Sequence, residues 1–403
     1  MNTMQSNIMS NYRSLILRVV LTFSVLFMAG MLRGGDTLEI PGMTTERERF
    51  HFSGYVKGMP YAGYDNLSEE ITFNTIINNR LNFRYRTSER FHMSLEVRNR
   101  WLGGEVLREY GALMKEMLQH DDGLVDASHV PLTGDSWLWH LNADRFYADW
   151  RGERWQVRLG RQRINWGINM VSNPNDLFNN FSFFDFDYEE RPGADALRVQ
   201  YFTGDMSRLE LAVSPARESR KSVAAMLYGF NHKGYDVQFI AGYFRHRSAL
   251  GAGWAGNIRN SGFKGEVTLF NNIDNPDTMT LVLSAGFDHM FGNGMYAFAE
   301  VLYNGGHTGN VSLFELNEPM RADNLFVSQY AATVSVMYPI SPVLSTSLAA
   351  VVMPDIEAFY VMPNVTWSVI QNLDLAFVLQ YFRFKEMADL QHVTGYLQAK
   401  WSF

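Results

Sequence analysis

Arginines at alternate positions are the feature of this 403-residue chain that points most directly to chemistry. Arg84 and Arg86 are two residues apart, as are Arg98 and Arg100, and alternate side chains of a strand lie on one face. A row of guanidinium groups on a wall that faces water would attract anionic or polyhydroxylated solutes. The arginines that alternation places on a common inner face are Arg80, Arg84, Arg86, Arg98, Arg100, Arg145, Arg158 and Arg198.

The same arginines also have a structural interpretation. Glu96 and Asp149 fall on the same face of the same segments, so internal salt bridges could hold neighbouring strands together. Carboxylates in the loops could serve the same purpose. The two interpretations do not exclude each other, and the sequence favours neither.

A segment rich in acids and aromatic rings, residues 167–190, supplies the opposite charge. Exposed rings at this density would promote association, so the segment is predicted to fold inward and face the arginines across a constriction. The alternative is a segment that packs on the rim or against a second subunit. The residues predicted to form the constriction are Asp176, Phe181, Phe183, Phe184, Asp185, Asp187, Glu189 and Glu190.

Three further arginines flank this segment. Arg161 and Arg163 break the alternation of the strand that precedes it, which predicts a β-bulge near Gly160. Together with Arg191, they are predicted to anchor the segment by binding its carboxylates.

The last twelve residues indicate which kind of element must position these side chains. One face of residues 392–403 is apolar and the other polar, which is the period-two pattern of a half-buried strand. A strand that ends on an aromatic residue is typical of the outer-membrane β-barrels of Gram-negative bacteria. Trp401 and Phe403 are therefore predicted to form the membrane-insertion signal of a transmembrane barrel.

Alternating segments separated by turn residues recur through the rest of the chain. They predict an all-β fold, a closed antiparallel transmembrane barrel of about 18 strands. The short connections all fall at one end, and the long ones, 102–140, 167–190 and 306–325, fall at the other. Gly251, Gly253 and Gly256 weaken one hairpin, whose loss would give 16 strands. The predicted strands are 50–58, 71–86, 90–101, 141–150, 154–166, 191–203, 208–214, 222–232, 235–246, 248–257, 261–270, 278–291, 294–305, 326–339, 343–353, 357–370, 373–384 and 391–403.

The N-terminus and the composition complete the outline. Residues 1–35 are predicted to be a signal peptide, with a membrane anchor as the alternative, and 36–49 a periplasmic lead-in to a barrel at 50–403. The chain has no cysteine, so no disulfide or lipid-anchored cysteine is expected. Its net charge of -7 argues against a nucleic-acid partner. The expected partners are outer-membrane lipid and lipopolysaccharide, the barrel assembly machinery and small hydrophilic solutes, and a homo-oligomer is compatible with the pattern.

Several motifs resemble a known family. Gly160-Arg161-Gln162, Trp166-Gly167, Asn173-Pro174 and Arg191-Pro192-Gly193 follow one another in that order. This progression, within roughly residues 150–305, resembles a functionally uncharacterised family of porin-like bacterial outer-membrane barrels. The chain is also similar, more loosely, to alginate-export and other carbohydrate-related outer-membrane barrels. The resemblance implies a porin-like barrel, although family members often have a longer stretch between the Trp-Gly and Asn-Pro elements.

The sequence therefore predicts a channel in the outer membrane for passive diffusion of small hydrophilic solutes, anionic or sugar-like. A non-conducting barrel for surface polysaccharide attachment, export or assembly is the first alternative. An outer-membrane hydrolase is the least favoured alternative, because the histidines are scattered and no nucleophile motif accompanies them. No metal-ligand spacing or phosphate loop is visible, so neither an enzymatic activity nor a cofactor is expected.

Overall fold

Antiparallel strands make up most of the described part of the chain. The computed structural model describes residues 49–121, 123–178, 192–307, 320–385 and 388–403. Within these ranges there is one α-helix, α1 (Glu105–Gln119), and there are two short 3-10 turns, Ser219–Lys221 and Pro354–Ile356. The strands are β1 (Phe50–Asp65), β2 (Ile71–Arg86), β3 (Phe91–Gly104), β4 (Ser128–Thr133), β5 (Trp137–Arg151), β6 (Trp155–Gln162), β7 (Ala194–Gly204), β8 (Ser207–Ser214), β9 (Val223–His232), β10 (Tyr235–Phe244), β11 (Arg247–Ile258), β12 (Ser261–Asn272), β13 (Met279–Met290), β14 (Tyr296–Asn304), β15 (Tyr330–Ser341), β16 (Leu344–Met353), β17 (Ala358–Ile370), β18 (Leu373–Phe384) and β19 (Leu390–Ser402).

Eighteen of these described strands form a closed antiparallel ring, in which only β4 has no place. The ring closes between β1 and β19, where Tyr55 lies opposite Ser402. Beyond that pair, Gly54 and Phe403 exchange two backbone hydrogen bonds of 2.9 and 3.0 Å. The predicted 18-strand barrel, including its closure at Phe403, is confirmed. The 16-strand alternative is wrong, because β11 and β12 pair along their whole lengths.

The two faces of the wall differ in the way that alternation predicts. Leu397 and Phe377 point outward and are 61% and 48% exposed, so the outer surface carries an apolar band. A girdle of rings borders this band, with Phe403 5.3 Å from Trp401 and 5.7 Å from Phe52 between ring centroids. Closing the ring gives every strand two partners, and backbone groups then need no water.

The connections separate the barrel into a turn end and a loop end. Eight connections at the turn end are tight, from 87–90 to 371–372, and the long ones all lie at the loop end. Lys233 and Gly234 illustrate the tight type, since both have positive φ, at 53° and 83°. Consecutive residues with positive φ suit the two-residue turns that match the twist of a hairpin.

The long connection 102–140 contains a helix and a short strand. Residues Glu105–Gln119 form α1, whose Leu107 packs with Val130 and Leu138. The short strand β4 was not predicted. It pairs with the loop-end half of β5, while β6 pairs with the turn-end half. Thus β4 occupies the position beside β5 that β6 leaves when the chain turns inward after Gln162.

No helix in the described ranges is long and apolar enough to cross a membrane. Residues 1–48 lie outside the described residues. The signal peptide, the lead-in and the domain bounds built on them therefore stay predictions.

Candidate functional site

A β-bulge in β5 brings an unpredicted acid into the arginine wall. Glu96 and Val97 are consecutive on β3, but their partners on β5 are Arg145 and Ala143. Asp144 lies between these partners and is the extra residue. Asp144 and Arg145 are consequently both buried, at 1% and 5% exposure. The bulge predicted near Gly160 is wrong. The register of β6 with β5 and β7 continues unbroken through Gly160.

Gly160 has a different role. Its φ is +118°, and a Cβ at this position would overlap the carbonyl oxygen of Phe146. The glycine therefore permits a close backbone approach between β6 and β5 without any change of register.

Asp144 holds the most buried arginines of the predicted row. Arg80 lies between two carboxylates, 2.6 Å from Glu96 and 2.5 Å from Asp144. Arg98 approaches the same Asp144 at 3.3 Å. A guanidinium buried to this extent is stable only when paired. These two arginines are thus part of an ion network that ties β2, β3 and β5 together.

Two further arginines are neutralised on neighbouring strands. Arg158 binds Asp149 at 2.6 Å and stacks on the Tyr147 ring, with the guanidinium carbon 4.4 Å from its centroid. Arg198 binds Glu210 through two hydrogen bonds of 2.6 and 3.0 Å. The structural interpretation, in which the arginines form internal salt bridges, therefore applies to Arg80, Arg98, Arg158 and Arg198.

Arg100 completes a contact that superficially resembles a catalytic pair. Its guanidinium lies 3.1–3.2 Å from His140 Nδ1, while His140 Nε2 lies 2.7 Å from the Ser128 hydroxyl. Because arginine only donates, Nδ1 must be the acceptor, and Nε2 then carries the hydrogen. The hydroxyl in turn donates to the carbonyl of Leu118. The imidazole cannot take a proton from Ser128 in this arrangement, so the group is a structural network.

Two of the remaining arginines of the row, Arg84 and Arg145, border open space. A cavity of about 280 Å³ lies against β1, β2, β3 and β5. Arg84, Arg145 and Arg163 contribute to its lining, whereas Arg86 is exposed nearer the turn end. Glu96, the carboxylate of this lining, already binds Arg80. Its other lining residues are His51, Ser53, Asn82, Phe83 and Ser94. We call this space the cationic pocket.

Arg161 anchors a different segment from the one predicted. It binds Asp195 at 2.8 and 2.9 Å, Asp121 at 2.8 Å, and the carbonyl oxygen of Val125 at 2.7 Å. Its carboxylate partners among the described residues thus come from β7 and from the segment after α1, and Asp176 is not among them. Arg163 lines the cationic pocket, and Arg191 lies outside the described residues.

The electrostatics of Asp121 follow from this contact. Burial alone would raise the pKa of the Asp121 carboxyl, but the hydrogen bond and charge of Arg161 outweigh burial and hold that pKa below its usual range. The backbone N–H groups of Ala127 and Gly123 act in the same direction. Asp121 therefore stays ionised at neutral pH and, through Arg161, links the segment after α1 to the loop end of β6.

The chain enters the barrel after β6. This agrees with the prediction that residues 167–190 fold inward, for the part of that range that is described. We call residues 163–178 the inward segment. Ile164, Trp166 and Leu177 are at most 2% exposed and join a cluster with inner-wall residues such as Leu227. The indole N–H of Trp166 donates to Glu210 at 2.6 Å.

Acids of the wall hold this segment through its backbone. Glu266 accepts the N–H groups of Ile168, Asn169 and Asn175. Glu300 accepts those of residues 170, 171 and 172 at 3.2, 3.1 and 2.6 Å. Two buried carboxylates therefore satisfy six backbone donors that would otherwise be unpaired. The sequence predicted that arginines of the wall would bind acids of the segment. In this part of the segment the contact is the reverse, because acids of the wall bind donors of the segment.

Two glycines of β11 make room for the contact. A Cβ at Gly251 would lie 2.6 Å from Asn175 Oδ1, and one at Gly253 would lie 2.9 Å from both Asn175 Nδ2 and Ile168 Cδ1. The side chain of Asn175 also binds the wall, donating to Ala252 O at 3.1 Å. Two of the three glycines that weakened the strand prediction are thus explained by the segment packed on them.

The rest of the predicted constriction is not described. Asp176 is buried in the inward segment at 1% exposure. The other predicted members all lie outside the described residues, namely Phe181, Phe183, Phe184, Asp185, Asp187, Glu189 and Glu190. Their role therefore stays a prediction.

The motif residues belong to this insertion. The Gln162 amide donates to the carbonyl of Ala196 at 3.0 Å, which ends β6 against β7. Trp166 reaches Glu210, and a Cβ at Gly193 would lie 2.5 Å from the Asp144 carbonyl oxygen. The progression of motifs thus describes how the chain leaves the wall and returns to it.

Sequence reasoning missed three acids of the site: Asp144, Asp195 and Glu210. Alternation places Asp144 outside, and only the bulge brings it in. The adjacent Asp144 and Arg145 carried a weak signal, because two consecutive charged residues in a strand cannot both face the lumen without a bulge.

Comparison with known proteins supports the fold. No family model and no curated protein matches the chain. The structure is similar to that of OccK7 (OpdD) of Pseudomonas aeruginosa, with 9% identity, 88% of this chain and 99% of that chain covered, and a TM-score of 0.54. The outer membrane protein OpdK of the same species is 8% identical, with 88% of this chain and 99% of that chain covered and a TM-score of 0.53. OccAB1 of Acinetobacter baumannii is 10% identical, with 88% of this chain and 97% of that chain covered and a TM-score of 0.52. The chain thus has the closed barrel fold of these proteins.

Proposed function

We propose that this chain is a porin-like channel of the Gram-negative outer membrane. Small hydrophilic solutes would diffuse through it passively, with a preference for anionic or sugar-like ones. The fold is similar to that of an outer membrane protein, and the wall is apolar outside and charged inside. An eighteen-strand ring is also wide enough to enclose a lumen, whereas the narrower barrels fill with side chains.

The cationic pocket is the observation that carries the solute preference. Three guanidinium groups and several neutral donors surround about 280 Å³, and the carboxylate among them is already paired. Buried Arg163 Nε has no hydrogen-bond acceptor among the described residues. Guanidinium groups bind carboxylate and phosphate oxygens strongly, so the pocket suits an anionic group of a passing solute.

The partners follow from the two faces. Outer-membrane lipid and lipopolysaccharide would contact the apolar band, and the barrel assembly machinery would recognise Trp401 and Phe403. A homo-oligomer remains compatible with the outer surface. We propose no enzymatic role, since the Ser128–His140 contact is arranged for structure.

Ion selectivity in a planar lipid bilayer tests the proposal. Arg84→Glu with Arg163→Glu places two negative charges in the pocket without touching the buried Arg80 network. We expect the reversal potential in a salt gradient to move from the anion-selective toward the cation-selective side. Arg259→Glu, in the turn between β11 and β12, is the matched control and should leave it unchanged.

Two outcomes would contradict parts of this proposal. A folded protein without conductance would favour the non-conducting barrel for polysaccharide attachment, export or assembly. A conducting double variant with unaltered selectivity would show that the pocket does not select the permeating ion.

A further inference from the structure

Inward-facing aromatic rings lie on four neighbouring strands where the barrel closes. Tyr61 and Tyr396 are opposite each other on β1 and β19, with ring centroids 5.0 Å apart and planes at 30°. Tyr360 and Phe382 are opposite each other on β17 and β18, 6.4 Å apart. The inner wall of a wide barrel is normally polar, so rings on it need an explanation. We call the five residues Tyr55, Tyr61, Tyr360, Phe382 and Tyr396 the ring strip.

Packing explains only part of the strip. Tyr360 is buried in the hydrophobic cluster at the loop end, and Phe382 packs against it. Tyr55, Tyr61 and Tyr396 do not belong to that cluster, and each is partly exposed. These three rings are therefore not core residues of the described fold.

Neutral hydrogen-bonding side chains separate the rings. In register, Gln380 faces Thr394 between the row of Phe382 and the row of Tyr396. Toward the turn end, Thr366 and Gln398 continue the same faces. Lys57 and Lys400 lie opposite each other between the row of Tyr55 and the row of Tyr61 and Tyr396, and their Nζ atoms are 5.6 and 4.7 Å from the Tyr55 ring centroid. Only the part of the strip between the row of Tyr61 and Tyr396 and the row of Phe382 is thus amphipathic and uncharged, unlike the arginine wall on β2 to β7.

The strip is long enough for more than one ring of a solute. Phe382 pairs with His392, four residues from Tyr396, which is about 13 Å along a strand. Tyr61 and Tyr55 are six residues apart, or about 20 Å. Stacking faces therefore recur along the height of the wall.

From this arrangement we infer that the ring strip is a binding track for uncharged oligosaccharides. Sugar rings have apolar faces that pack on aromatic rings and hydroxyl rims that bind amides and hydroxyls, and the strip offers both. The track rests on the proposed channel function and assigns the sugar-like solutes to a wall separate from the cationic pocket. Anions and neutral sugars would then follow different sides of one lumen.

Block of the ion current by maltohexaose, compared with polyethylene glycol of similar mass, tests the track. We expect maltohexaose to block the wild-type channel in the concentration-dependent manner of a bound solute, and the glycol to block far more weakly. Tyr61→Ala with Tyr396→Ala should weaken the maltohexaose block about tenfold. Tyr61→Phe with Tyr396→Phe should retain most of it, since the faces remain. Tyr228→Ala, which removes a ring from the outer surface, is the control for loss of a tyrosine.

The outcomes separate the track from the channel itself. A channel that conducts ions but is blocked equally by both polymers overturns the track and leaves the proposed function standing. Equal block of the wild type and the double alanine variant overturns it as well. Absence of conductance in the wild type removes the proposed function, and the track with it.

Discussion

Asp144 is the residue on which the arginine wall most depends. Its carboxylate is fully buried and binds both Arg80 and Arg98. Neither guanidinium can recover its hydration in place, so removing the shared charge leaves buried positive charge uncompensated. The acid thus stabilises three strands through one side chain.

Replacing Asp144 with Asn should therefore destabilise the barrel by about 3 kcal/mol. The side chain keeps its shape but loses the charge, so the loss reports the ion network. Thermal or urea unfolding, followed by the mobility difference between folded and unfolded barrels on a gel, would measure it. Asp205→Asn, in the exposed turn between β7 and β8, is the matched control. Equal stability of the two variants would show that the network contributes nothing.

For single residues, the sequence predicted which side chains face inward better than it predicted their partners. Alternation alone placed Arg80, Arg98 and Glu96 on one face. It could not place Asp144, since one inserted residue reverses the facing of everything beyond it. The partner of Arg161 was also out of reach, because Asp121 and Asp195 come from segments 40 and 34 residues away.

The inward segment is the element of the described fold that lies against the inner wall instead of forming part of it. Its backbone donates to Glu266 and Glu300 on β12 and β14, and its side chains fill the space above Gly251 and Gly253. Alternation within β12 and β14 is enough to place Glu266 and Glu300 on the inner face, but their partners lie 91 to 130 residues away in the chain. Only a segment folded across the lumen brings these groups together, and no local pattern encodes that contact.

A side chain at Gly253 should displace this segment. The Cβ in Gly253→Ala would meet Asn175 and Ile168 at 2.9 Å, closer than packed atoms tolerate, so we expect a loss of about 2 kcal/mol in stability. We also expect larger and noisier single-channel conductance, because the segment is pushed from its seat. Gly58→Ala is the matched control, since its Cβ would have nothing within 4 Å. Unchanged conductance in Gly253→Ala would mean that the segment does not limit the pore.

At the scale of the molecule, the inner wall has three regions. Arginines and their acids occupy β2 to β7, the inward segment covers β8 to β14, and the ring strip lies on β17, β18, β19 and β1. The lumen is thus bounded by surfaces of different chemistry. A solute that passed through the proposed channel would meet cationic and aromatic groups on neighbouring parts of the wall.

The whole fold was predictable because every ring strand repeats one pattern. Period-two alternation and tight turns recur along the chain, and errors in single strands do not change the closure. The strand β4 escaped prediction since its six residues are too few for a periodic signal and include Pro131. It exists because the inward turn of β6 leaves part of β5 without a partner.

The closing register gives the most direct test of the whole arrangement. Gly58 on β1 lies opposite Ala399 on β19, where Cα atoms about 5.5 Å apart allow a disulfide. Since the chain has no cysteine, Gly58→Cys with Ala399→Cys creates a single defined pair. Mild oxidation of the folded protein should join them, and the unfolded chain should then migrate faster on a gel until it is reduced. Gly58→Cys with Leu375→Cys is the control. Leu375 pairs with Ala399 from β18, so it lies two strands from Gly58, about 9.5 Å and beyond disulfide reach. Cross-linking of the control, or none in the test pair, would place β19 in another register and would also separate Tyr396 from Tyr61.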